Sequence, residues 1–181
     1  MKPSYNCLLI SDFNMDNFAA YLSNDIEWPK VAPIKAPYGQ VIQNLSSRHD
    51  ELKTLPIDMT VLWTRPDNMI ESFNRLVNFE IVPIKQILEE VDLFCARIKD
   101  AKEGLGLVFI PTWVIPTYCR GFEMLDMKDG LGLKNSLMRM NLRLSENLSS
   151  EPDLYILDCD LWLRTAGSRS FNPKAWYLGC Q

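Results

Sequence analysis

The sequence predicts an α/β domain in which helices cover both faces of a mostly parallel sheet. Two observations predict it. Short apolar runs alternate with helical patterns along the chain, the order that builds βαβ units. The first run, residues 5–11, is apolar through its centre, ends in Ser11 and leads through a polar loop into a helical stretch, as a buried parallel strand does.

The elements follow in order. After the first strand, residues 12–16 form a loop rich in helix-capping types, and residues 17–22 read as a helix. The Pro-rich stretch 29–37 holds an edge strand at 31–36, where a missing proline N–H is tolerated. A helix starts at Val41. Residues 59–63 form a second strong strand, followed by a loop at 64–68. From 83 to 102 the apolar positions Ile84, Ile87, Leu88, Val91, Phe94, Cys95 and Ile98 recur at helical spacing, the stripe of a long amphipathic helix. Residues 105–110 make a third strand, stopped by Pro111. A second long helix covers 131–148, and 154–158 is a fourth strong strand. A last helix starts at Leu161 and ends at Gly167. The one long irregular piece, 113–130, has the length of a functional loop.

With 181 residues, 47% of them hydrophobic, the chain suits one domain, 1–181, with a sizeable core. Its net charge of −4 argues against a nucleic-acid partner, which needs a basic face. No apolar stretch is long enough to span a bilayer and no signal peptide opens the chain, so the expected location is cytoplasmic. The 5 cysteines are scattered and include no CxxC pair, so they read as reduced thiols. Neither a Gly-rich phosphate loop nor a metal-ligand cluster is visible, and no cofactor is expected.

Ligands of open α/β sheets bind at the carboxyl ends of the strands. The loops to weigh are therefore 11–16, 64–68, 111–120 and 158–162, and they are expected to converge on one crevice. Ser11 and Asp12 end the first strand. Ser11 is a candidate nucleophile or oxyanion donor, whereas Asp12, Asn14 and Asp16 also suit helix capping. A serine nucleophile needs a base, and the only histidine, His49, lies in a polar stretch that looks solvated. Arg65, Arg120 and Arg139 are candidates for anion binding, with ion-paired surface arginine as the alternative. Trp63, Trp113, Trp162 and Trp176 sit at element ends, where they either pack or wall a ligand. Asp158-Cys159-Asp160 imitates the start of a haloacid-dehalogenase (HAD) phosphatase motif, but Trp162 stands where Thr or Val belongs. The rest of the chain is also too short for that fold, so the match reads as chance, with Asp160 starting a helix.

Several segments resemble the N-terminal part of FkbH-like proteins, a family of HAD-type phosphatase and acyl-transfer proteins. They are Ala36-Pro37-Tyr38-Gly39-Gln40, Leu62-Trp63-Thr64-Arg65-Pro66, Phe109-Ile110-Pro111-Thr112-Trp113, Arg120-Gly121-Phe122-Glu123-Met124-Leu125-Asp126, Arg139-Met140-Asn141-Leu142-Arg143-Leu144 and Asn172-Pro173-Lys174-Ala175-Trp176-Tyr177. The resemblance implies an SGNH-hydrolase-like three-layer α/β/α sandwich with a flavodoxin-like layout, followed in the family by a HAD catalytic domain. The chain stops where that domain would begin, so it is expected to be the N-terminal part of a longer protein or a stand-alone copy. In the SGNH pattern, Phe13 occupies the nucleophile's place, Ser11 is displaced by two positions, and Asn68 is left as an oxyanion donor. No histidine stands in the late block. Losing nucleophile and base removes most of the rate enhancement.

Three readings follow. In the first, a non-catalytic docking domain serves a HAD-type domain in cis or in trans. It would help to load or process a glyceryl-like, phosphorylated or carrier-bound substrate in natural-product or polysaccharide biosynthesis, with an acyl-carrier protein as a further partner. Its ligand-binding candidates are Ser11, Asp12, Asn14, Trp63, Arg65, Asn68, Trp113, Arg120 and Asn141. The second is an SGNH-type ester or acyl hydrolase using Ser11, with Asp12 or Asp158 as an unusual base. The third is a structural module, which a large exposed apolar patch without a polar pocket would mark.

Overall fold

A computed structural model describes residues 4–46, 55–116, 119 and 123–167. Its five strands are β1 (Ser4–Ser11), β2 (Lys30–Lys35), β3 (Met59–Trp63), β4 (Leu107–Pro111) and β5 (Leu154–Leu157). They form one sheet in the order β2-β1-β3-β4-β5, and every pairing is parallel. The fold is a three-layer α/β/α sandwich, and the strand order is the flavodoxin-like one. β2 is an edge strand, with Pro33 opposite Cys7 and Lys30 and Lys35 at its ends, features that blunt an open edge.

β1 lies inside the sheet and its last five residues are buried. Alternation then sends Leu8 and Ile10 to one face and Cys7 and Leu9 to the other. The first face carries the main core. It is closed by α2 (Val41–Ser46), α4 (Glu71–Val77), α5 (Ile84–Ala101) and α6 (Leu133–Leu148). Asp92 of α5 clamps the last two of these together. It accepts two hydrogen bonds from Arg143, at 2.7 and 2.8 Å, and one from Asn147 at 2.7 Å. The second face is covered by α1 (Asp16–Asn24), whose Ala19 and Phe18 join Leu9, Phe13 and Trp63. From α7 (Cys159–Ala166), Trp162 reaches the Trp63 ring on that side.

Four details differ from the sequence expectation. Residues 64–68 are not all loop: α3 (Pro66–Met69) forms one turn with Pro66 at its start. α4 follows at once, a helix the sequence reading does not contain, and it buries Phe73 and Leu76 completely. β4 starts two residues late because Gly106 turns the chain with φ +63°. α7 starts at Cys159 rather than Leu161, and Asp158, not Asp160, caps it by accepting the Leu161 N–H at 3.1 Å. The expectations for His49, Arg120, Cys180 and the 172–177 segment lie outside the described residues.

Candidate functional site

In this strand order the chain reverses direction across the sheet between β1 and β3, and the crevice lies at their carboxyl ends. The two strands run in register up to Ser11 opposite Trp63, so the next residues, Asp12 and Thr64, emerge side by side. Asp12 is buried there. Its Oδ1 accepts the Arg65 backbone N–H at 2.9 Å. Its Oδ2 accepts the Asn68 amide at 2.5 Å and, more weakly, Arg65 Nε at 3.4 Å. Burial pushes the Asp12 carboxyl above the usual carboxylate range, against the pull of Asn68 and Arg65. Asp12 therefore caps no helix: it ties the β1–α1 loop to the β3–α3 loop. Asn14 makes a local turn bond just before α1, its Oδ1 accepting the Asp16 N–H at 2.7 Å, while the N-cap position itself is Met15 and carries no side-chain cap.

Ser11 is also buried, and its Oγ accepts the Phe13 N–H at 3.0 Å. Phe13 points into the second core, its ring edge against Trp63 at 5.7 Å. Phe18 and Trp162 meet the same indole at 5.7 and 5.8 Å, so Trp63 is packed among aromatic rings at the crevice's α1 side.

The other strand ends are linked in turn. Trp113 is buried and its Nε1 donates to Thr64 Oγ1 at 3.0 Å. Its backbone N–H and C=O are both held by the Asn141 side chain of α6, each at 2.8 Å, as a neighbouring strand would hold them. Thr112 Oγ1 accepts the Cys159 N–H at 3.0 Å, which joins β4's end to the start of α7. The four loops thus form one chain of side-by-side contacts. Asp12, Arg65 and Asn68 come together at its β1 end, next to Ser11, with Trp63 on the α1 face. Trp113 and Asn141 pair with each other beside Thr64. Asn14 stands outward, bonded to Asp16. Arg139 pairs with Asp129 at 2.9 Å on the surface.

Thr64 is a contributor the sequence reading passed over. Its place after an apolar strand is a signal, but its partner lies 49 residues away. Cys7, Cys95 and Cys159 are buried, and desolvation pushes each thiol up to about 11, which keeps them protonated core groups. Among the described residues no group of three or more His, Cys, Asp or Glu is placed to hold a metal, and no helix is long and apolar enough to cross a membrane.

No protein-family model matches the sequence, and no curated protein matches it. Solved structures do match its fold. One is the crystal structure of the N-terminal part of the protein BF1531 from Bacteroides fragilis, containing a phosphatase domain and complexed with Mg. The TM-score is 0.71 at 14% identity, over 98% of this chain and 46% of that one. Another is SsfX3, a salicylyl-acyltransferase from a tetracycline biosynthetic pathway, with a TM-score of 0.49 and 13% identity over 96% and 46% of the two chains. The chain therefore spans less than half the length of each of these two. At 14% identity, what this chain shares with BF1531 is the fold.

Proposed function

We propose that this chain is a non-catalytic binding and docking domain of the FkbH-like type. It works beside a HAD-type phosphatase domain, helping it load or process a small phosphorylated or carrier-bound substrate in biosynthesis. The observation that carries this reading is the match of 98% of the chain to part of a longer protein that contains a phosphatase domain.

The site supports the non-catalytic half of the reading. Phe13, at the place the resemblance gives to a nucleophile, is a core side chain. The Ser11 hydroxyl is buried and accepts a backbone N–H. The two carboxylates that would have to serve as its base have other work: Asp12 holds the β3–α3 loop, and Asp158 caps α7. A nucleophile without a base in reach gains little over solvent.

Hydrolysis of p-nitrophenyl acetate by the wild-type chain and by Ser11→Ala tests this. Both should stay at the background rate. Turnover by the wild type that Ser11→Ala abolishes would make the domain a hydrolase instead.

A further inference from the structure

The strands of a parallel sheet are apolar on both faces because both faces are normally covered. On β4 and β5, Val108, Ile110 and Leu154 point into the main core, and Ile156 packs against it. Alternation turns Leu107, Phe109, Tyr155 and Leu157 to the other face. There Phe109 lies opposite Tyr155, and the two rings stack at 5.6 Å. Among the described residues this lane is only partly covered: Leu107 and Tyr155 are exposed, and Phe109 and Leu157 are half-buried. α7 follows β5 on the same side, where Trp162 meets Trp63. Yet Leu161 and Trp162 are themselves exposed, and Cys159 is the one buried residue of that helix. The described residues end here, at Gly167, which turns the chain out of α7 with φ +78°.

Residues 168–181 continue from that point and carry Phe171, Trp176, Tyr177 and Leu178. A segment of that length reaches about 40 Å when extended. A five-residue strand is roughly 17 Å long and three neighbouring strands span about 10 Å, so the whole lane is within reach. Residues 47–54 suit it less: Leu52 is their one large apolar side chain, and they follow α2, which closes the opposite face. We infer that the β4–β5 lane is the docking site of the chain's own 168–181 segment, with its aromatic side chains seated on the Phe109–Tyr155 stack. Burial of aromatic rings against an apolar sheet supplies the driving force. The segment is tethered at the edge of the lane, so it competes there at a high effective concentration against a second copy or a separate partner. This goes beyond the proposed function and does not depend on it.

The test is NMR on the full 181-residue chain, mixing isotopically labelled and unlabelled protein to separate contacts within a chain from contacts between copies. Nuclear Overhauser contacts within one chain are expected from the ring of Trp176 or Tyr177 to that of Phe109 or Tyr155. A double-mutant cycle gives a second readout. Trp176→Ala should lower the urea midpoint of the wild-type chain, and its effect should fall to about half or less in a Tyr155→Ala background. If Tyr155→Ala does not fold, the ring contacts decide alone. Absence of those contacts, or full additivity of the two substitutions, would overturn the inference and leave the lane open to a partner. Contacts found only between copies would overturn it too and assign the lane to a second chain.

Discussion

Asp12 joins two loops whose residues are more than fifty positions apart in sequence. Removing its carboxylate takes away the acceptor of the Arg65 backbone N–H and of the Asn68 amide inside a buried loop junction. Asp12→Ala should therefore lower stability by about 3 kcal/mol, read from urea unfolding. The pH dependence has a definite sign. Asp12's folded pKa lies above its unfolded value near 3.8, so the folded state holds that proton more tightly. Its contribution is full below the unfolded value and is lost as pH rises through the folded one. The stability gap between wild type and Asp12→Ala should narrow over that window; a gap that widens would reverse the assignment. Asn141→Ala strips both backbone partners from Trp113, and a loss of about 2 kcal/mol is expected in the same assay. At this scale the sequence marks candidates by place and type. Ser11, Asp12, Arg65 and Trp113 stand at strand ends, and Asn68 in the short helix that follows β3. It does not pair them, because the Asp12–Arg65 and Thr64–Trp113 bonds depend on which strands are neighbours. Nor does it separate Asn141, which holds a backbone, from a residue that would touch a ligand.

The long elements were legible because their apolar periods are long. α5 runs 18 residues and α6 runs 16, and both lie within two residues of their sequence boundaries. α3 and α4, of 4 and 7 residues, offer too few turns for a period to stand out. Ile70, Phe73 and Leu76, three apart, were the available signal. All three are fully buried. Phe73→Ala should cost about 3–5 kcal/mol, a core-sized loss from a segment that the sequence reading assigns to no element. Gly106 makes a second test. A Cβ there would lie 2.3 Å from the Asp58 carbonyl oxygen, at a φ that side chains avoid. Gly106→Ala should cost about 2 kcal/mol or more, seen as a lowered thermal midpoint. If the thermal midpoint is unchanged, the turn into β4 is not as tight as the contact requires.

The whole molecule is a parallel sheet whose two faces are unequally covered. Among the described residues, four helices close one face. On the other, α1 packs over β1 and β3 and Trp162 of α7 meets Trp63, while Leu107 and Tyr155 on β4 and β5 are 38% and 50% exposed. The alternation of strands and helices made the layers and the parallel pairing legible. Pro33 with its flanking lysines fits the edge position of β2. The order of the strands was not legible from residues alone, since parallel strands joined by crossovers carry no local register signal. The proposed function, that the domain acts by holding a partner, is tested at this scale. Sedimentation velocity of the chain mixed with a HAD-type phosphatase domain from the same organism tests it most directly. The account predicts a complex at protein concentrations up to about 100 µM, in the range of a weak specific contact. Two species that sediment independently throughout that range would contradict it.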